Sequence, residues 1–260
     1  MEVAFPSPTG YKLALLTIFL TGLVLRLYDL GSESLWWDEV YAITTMAKPG
    51  PLEIIRMSST DNNPPLFYLI LHYWMLLAGD SEFSVRLPSA MAGALAIPVI
   101  YKIGTLLFSR SAGLLAALIL ALSAYHLYYA QEARAYSVMV FLTLLSFYFF
   151  LRLAKGDNVP RSASVGYIIS TVLLMYTHFY GVFFVAAQAI YVLASGANLR
   201  RWKVPAGALA LLYVPWLMLL AVDVLSPMGP GATARPGYPS QPSHTWPASS
   251  RPTPAHYHQW

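Results

Sequence analysis

Seven stretches of the chain are almost free of charge, and the polar residues gather between them. The apolar runs cover residues 13–28, 65–78, 87–108, 112–130, 135–151, 165–197 and 204–222, and Thr177-His178 breaks the sixth. A helix needs about 20 residues to cross the hydrocarbon layer, and about 17 at the least. The run at 65–78 is shorter than that. It opens on Pro64-Pro65, which suits a helix start, and it contains His72 before ending at Gly79-Asp80. It reads as an interfacial or partly embedded helix. The broken run at 165–197 is long enough for a hairpin of two spans. The pattern therefore predicts seven spans, at about 11–30, 88–108, 112–129, 136–152, 164–179, 181–197 and 204–222. Lys12 precedes the first span and no small-residue cleavage site follows it, so it reads as uncleaved.

Composition agrees. Of 260 residues, 57% are hydrophobic and 11% charged, and the mean hydropathy is +0.53. An average soluble domain carries roughly 25% charge. So few charges cannot cover so much apolar side chain in water, which excludes a soluble enzyme, a disordered chain and a nucleic-acid binder. The expected fold class is an all-α integral membrane bundle in residues 1–225. The absence of Cys excludes disulfides and thiolate metal sites.

The positive charges give a direction. With the N-terminus inside, nine basic residues fall inside: Lys12, Lys102, Arg110, Arg152, Lys155, Arg161, Arg200, Arg201 and Lys203. Five fall outside: Arg26, Lys48, Arg56, Arg86 and Arg134. This bias favours the seven-span topology over one in which 65–78 also crosses. The outward segments are then a long loop at 31–87, a short one around 129–136, and the turn at 177–181. Residues 226–260 differ in kind. Eight prolines stand among Ser, Gly, Ala and His, and such a tail is expected to be disordered. It reads equally as a natural tail or as the out-of-frame end of a longer gene.

Each outward segment holds groups able to do chemistry. The first contains Leu35-Trp36-Trp37-Asp38-Glu39-Val40-Tyr41. The bland reading is an aromatic belt with solvated acids. The functional reading is a carboxylate made more basic by partial desolvation, with a neighbour able to take a divalent cation. The same loop returns to the membrane through Asp61-Asn62-Asn63-Pro64-Pro65, which is turn chemistry. The second segment carries Glu132 and Arg134 between two apolar spans, either as a functional pair or as a pair that simply ends two helices. The third carries His178 among aromatic residues. All three clusters fall on one membrane face in the predicted topology. A transporter would place such charges nearer the bilayer midplane.

These segments resemble a known family. Arg26-Leu27-Tyr28-Asp29-Leu30-Gly31, Trp37-Asp38-Glu39 and Asn63-Pro64-Pro65-Leu66-Phe67-Tyr68 look like the start of the GT-C membrane glycosyltransferases. The match is to the bacterial branch similar to dolichyl-phosphate-mannose-protein mannosyltransferases and lipid A aminoarabinose transferases. Three later stretches follow the same pattern: Ser81 to Ser89, Tyr129 to Tyr136, and Thr177-His178-Phe179-Tyr180-Gly181. The resemblance covers about residues 11–222.

The resemblance implies a seven-helix module with surface helices in the first loop. It implies sugar transfer from a polyprenyl-phosphate donor, with inversion, at the outer face of the plasma (inner) membrane. Asp38 matches the catalytic carboxylate, with Glu39 beside it, and Glu132 matches the second acidic position. Arg86 and Arg134 are the candidate phosphate-binding groups, with Lys48 and Arg56 behind them. Some members of the family bind a divalent cation (Mg, Mn or Zn), for which Glu39, Glu132 and His178 are the candidate ligands here. The acceptor, whether protein, lipid or glycan, is not readable. Relatives are usually much longer, so the chain reads as a truncated member. The rival readings are a transporter or lipid carrier on a related bundle, and an inactive remnant.

Overall fold

A computed structural model describes residues 7–155, 160–196 and 198–225; the tail expected to be disordered lies outside them. The described residues form helices α1 (Pro8–Leu27), α2 (Trp37–Val40), α3 (Pro51–Ser58), α4 (Leu66–Ala78), α5 (Glu82–Leu107), α6 (Arg110–Leu122), α7 (Ala124–Ala130), α8 (Tyr136–Lys155), α9 (Arg161–Thr177), α10 (Gly181–Ala194) and α11 (Lys203–Val224). A π-helical turn, Tyr41–Met46, continues α2, and a 3-10 turn, Leu199–Arg201, precedes α11. No strand occurs among these residues.

Helix starts follow local chemistry. Ser81, Ser109 and Ser123 each accept a hydrogen bond from a backbone N–H in the first turn of α5, α6 and α7. Each satisfies one of the donors that a helix start leaves unpaired. Gly79, at φ 76°, ends α4 in the left-handed region that a side chain avoids.

Helices stand at all seven predicted span positions. By length and composition, α1, α5, α8 and the segment 199–224 are each able to cross a membrane. A fifth crossing is added if α6 and α7, bent by 59° at Ser123, count as one broken span. The last hairpin falls short by this measure: α9 has 17 residues and α10 has 14. At 1.5 Å per residue those are about 25 and 21 Å, against a hydrocarbon core of about 30 Å. The predicted short helix at 65–78 is α4, with 13 residues.

Helix α5 is the hub, packing on α1, α6 and α8, while α9 packs on α8, α10 and α11. At the α5–α6 crossing a Cβ on Gly104 would stand 2.7 Å from the Cα of Gly113, so the two backbones nearly touch. Small residues allow that approach where lipid supplies no hydrophobic drive between helices. Deeper in the bundle a polar chain links α8, α9 and α10. Tyr167 donates to Gln188 (2.9 Å), Gln188 donates to Ser146 (3.0 Å), and Ser146 bonds Thr171 (2.8 Å). The loop helices α2, α3 and α4 dock over one end of this bundle. Ile43, Met46, Ile54, Phe67 and Leu71 join Val85, Val138 and Leu174 in one apolar core.

Candidate functional site

That docking brings the first loop against the turn between α7 and α8. Glu39, in the first turn of α2, is fully buried. Its Oε2 accepts from the Trp36 backbone N–H (3.2 Å), which closes the start of α2. Arg86 of α5 grips both its oxygens, through Nε (2.9 Å) and Nη2 (2.8 Å), and the Ala133 backbone N–H adds a 2.8 Å bond to Oε1. The remaining donors of Arg86 go to the carbonyls of Leu30 (3.1 Å), Glu33 (2.9 Å) and Ser34 (3.3 Å). All five N–H groups of the guanidinium are thus used. One ion pair ties the loop after α1, α2, α5 and the 131–135 turn together. Arg86, expected among the phosphate-binding groups, has another task here, because a guanidinium this deep must be satisfied by the protein itself.

Asp38 has the opposite setting. Its side chain is 42% exposed, and its Oδ2 lies 3.6 Å from Nη2 of Arg134. Arg134 Nη1 also donates to the Asp38 carbonyl (3.3 Å), and its guanidinium lies 5.7 Å from the ring centroid of Tyr136. Arg134 and Tyr136 line a small cleft with Asn63 and Tyr68. Asp61 orders that wall. Its Oδ2 accepts from the Tyr68 hydroxyl (2.6 Å) and the Asn63 N–H (3.1 Å), and its Oδ1 accepts from the Tyr41 hydroxyl (3.3 Å).

His178 follows the last residue of α9. Its Nδ1 accepts from the Tyr180 N–H (3.1 Å), and its ring lies 4.6 Å from that of Tyr180 and 6.2 Å from that of Tyr136. Burial, helped by the charge of Arg134, lowers its pKa. Glu132 is 6% exposed, and its Oε2 has no hydrogen-bond partner among the described residues. Burial pushes its carboxyl pKa up, as do the neighbouring charges of Glu39 and Asp38, against the lowering effect of Tyr128 and Arg134. The three polar clusters therefore meet at one end of the bundle. Neither Lys48 nor Arg56 lines the cleft beside Arg134.

The expected metal ligands do not assemble. Glu39 is taken by Arg86, and among the described residues no three His, Asp or Glu side chains converge. As placed, Glu39, Glu132 and His178 do not form a metal-binding cluster.

Sequence reasoning missed two features. Asp61 reads from the sequence only as turn chemistry, and Tyr68 only as part of the Asn63–Tyr68 motif, with nothing to mark their bond to each other. Arg26, counted as a loop cation, is completely buried. It donates to the carbonyls of Gly22 (2.8 Å), Leu120 (3.1 Å) and Ala121 (3.3 Å) and to Nδ1 of His126 (2.9 Å). The signal available was its place at the end of an apolar run, where burial and exposure look alike.

Fold and site together define a polytopic helical membrane protein whose polar centre sits at one bundle end. Residues 62–220 match the dolichyl-phosphate-mannose-protein mannosyltransferase family, and the chain belongs to that family. The match includes Arg86, Glu132, Arg134 and His178 and begins after Asp38 and Glu39. No curated protein matches the chain. Its fold is similar to that of ArnT from Cupriavidus metallidurans in the apo state, at TM-score 0.66 and 17% identity over 90% of this chain and 45% of that one. The same protein bound to undecaprenyl phosphate gives 0.64 and 20%, over 86% and 43%. The Saccharomyces cerevisiae protein O-mannosyltransferase Pmt1-Pmt2 complex bound to the sugar donor gives 0.62 and 19%, over 85% and 34%. The chain spans less than half the length of each. At these identities the likeness is one of fold, and it agrees with the helical GT-C-type architecture expected from the sequence.

Proposed function

We propose that this chain carries the reaction centre of a glycosyltransferase that takes a sugar from a polyprenyl phosphate and passes it, with inversion, to an acceptor hydroxyl at the outer face of the plasma membrane. The observation that carries this reading is the 3.6 Å pairing of a half-exposed carboxylate, Asp38, with Arg134, which itself lines a small cleft with Asn63, Tyr68 and Tyr136. Membership of a mannosyltransferase family supports it, as do fold relatives bound to undecaprenyl phosphate and to the sugar donor. The acceptor is left open.

In this reading Asp38 removes the proton of the acceptor hydroxyl as its oxygen attacks the anomeric carbon. The bond from that carbon to the phosphate oxygen breaks, and its electron pair leaves on the phosphate. Arg134, fixed over Tyr136, stabilises the developing negative charge. The leaving group is already an anion of low basicity, so no strong general acid is required. The Glu39–Arg86 pair holds the backbone of Asp38 and the 131–135 turn in register. An apolar cavity of about 500 Å³, walled by Phe150, Val192, Trp202, Leu209 and Leu217, suits the prenyl chain.

The test compares membranes containing the native chain with membranes containing Asp38→Asn, with insertion verified in both. Sugar release from a mixture of polyprenyl-phosphate sugars is measured. The expected loss is about 10²–10⁴-fold, the usual weight of a general base. An unchanged rate in the variant removes Asp38 as the base. No release by a well-inserted native chain counts against the proposal that it carries the reaction centre.

A further inference from the structure

A second cavity, of about 870 Å³, opens beside the Glu39–Arg86 pair. Its walls come from the loop after α1, with Tyr28, Asp29, Glu33 and Trp36, and from the end of α7, with Tyr128 and Glu132. Asp38, Arg134 and His178 are not among its lining residues.

The chemistry of that wall is one-sided. Asp29, Glu33 and Glu132 contribute carboxyl oxygens, and Tyr28, Trp36 and Tyr128 contribute aromatic faces. The Tyr128 hydroxyl already bonds the Glu132 carboxyl, which leaves its Oε2 unpartnered. The cation in the lining is Arg86, and its five N–H groups are already held by Glu39, Leu30, Glu33 and Ser34. The amide of Gln131 is likewise committed, donating to the carbonyls of Tyr28 (2.8 Å) and Leu25 (3.4 Å). The cavity thus presents acceptors and ring faces and no available positive charge. A phosphate or carboxylate would meet repulsion there. A ligand with several O–H or N–H donors and an apolar ring face would be complemented.

The buried Oε2 of Glu132 points the same way. A buried carboxyl oxygen without a partner costs free energy. Glu132 stands in this wall, and a small side-chain rotation that turned Oε2 to the cavity would let a ligand donor relieve that cost.

We infer that this cavity binds a sugar through its hydroxyl or ammonium groups, with Glu132 as the principal acceptor. Binding itself does not depend on the transferase reading. Its use as the seat of a glycan acceptor does rest on that reading.

The experiment uses the full chain in nanodiscs, with no lipid-linked donor present. Saturation-transfer NMR is titrated with methyl glucoside, glucosamine and glucose 6-phosphate. Methyl glucoside and glucosamine are expected to give saturable signals, with glucose 6-phosphate at least fivefold weaker. Glu132→Gln should weaken glucosamine at least fivefold, and Trp36→Leu should weaken both sugars. Circular dichroism and gel filtration verify folding, and Trp36→Leu carries the test if Glu132→Gln fails to fold.

Three outcomes overturn the proposal. They are equal binding by native and folded Glu132→Gln protein, equal binding of glucose 6-phosphate, and no saturable signal from either sugar. Because no transfer is measured, an inactive chain that binds glucosamine counts against the transferase reading alone.

Discussion

Asp38 and Glu39 are chemically alike and adjacent, yet one is half-exposed and the other completely buried. Successive residues of a helix point about 100° apart, so α2 turns Glu39 into the bundle and leaves Asp38 at the edge. Burial makes Glu39 dependent on Arg86. Removing one partner of a buried pair leaves an uncompensated charge and costs about 3–5 kcal/mol. Glu39→Gln and Arg86→Met should therefore each lower the thermal midpoint of the solubilised protein sharply. The double variant should lose less than the sum of the two. Additive losses would show that the pair is not coupled. Glu132 behaves in the reverse sense. Its folded pKa lies above the unfolded value of 4.5, so in the window above that value the folded state holds more protons than the unfolded state. Stability attributable to Glu132 is fully present below pH 4.5 and is lost as pH rises through the folded pKa. Glu132→Gln should raise the thermal midpoint at pH 7 by roughly 2–4 °C, equivalent to about 1 kcal/mol in a chain of this size. That gain should disappear near pH 4. A destabilised variant at pH 7 would mean that Oε2 has a partner in the folded protein.

Among the elements, the close contacts of α5 explain which glycines matter. A Cβ on Gly113 would stand 2.5 Å from the carbonyl oxygen of Tyr101, whereas one on Gly207 of α11 meets nothing within 4 Å. Gly113→Ala should destabilise by about 1–3 kcal/mol through overpacking. Gly207→Ala should be neutral or stabilising by up to about 1 kcal/mol, the difference in helix propensity. Denaturant titration in micelles distinguishes them, and equal effects would contradict the packing described. The bend between α6 and α7 has its own cause. Ser123 starts a new helix, which leaves the last carbonyls of α6 without intrahelical donors in a region poor in water. Arg26 supplies donors to two of them, those of Leu120 and Ala121. A charge that reads as a loop marker in one dimension is thus the clasp of a broken helix in three.

For the molecule as a whole, the open quantity is how the helices cross the bilayer. The native chain has no Cys, so single cysteines report position cleanly. Ser34, Ser109, Ser162 and Tyr180 are all exposed. With a membrane-impermeant thiol reagent on intact cells, cysteines at Ser34 and Tyr180 should label, and cysteines at Ser109 and Ser162 should label only after permeabilisation. Labelling of Ser162 together with Tyr180 would mean that α9 does not cross, and that the polar end does not face a single side. The shortness of α9 and α10 makes this the decisive pair. The convergence of Asp38, Glu132, Arg134 and His178 was legible in the sequence, because charges between long apolar runs have few places to go. The grip of Arg86 on Glu39 was not, since 47 residues separate them and nothing local marks the pairing. Asp61 and Tyr68 were hidden for the opposite reason. They sit where turn and helix chemistry already accounts for them.

The spacing of apolar runs and the scarcity of charge determined by themselves that this is a helical membrane protein, where its helices lie, and which end collects the polar groups. Those properties follow from hydrophobic burial, which sums over many residues and survives local ambiguity. Tertiary structure alone decided which acid is buried against Arg86 and which stays half-exposed beside Arg134, which arginine has all its donors satisfied by the protein, and that Arg26 is buried. Each of those outcomes depends on distances of about 3 Å between segments far apart in the chain. Hydrogen bonds and ion pairs are that short-ranged, and no one-dimensional pattern encodes them.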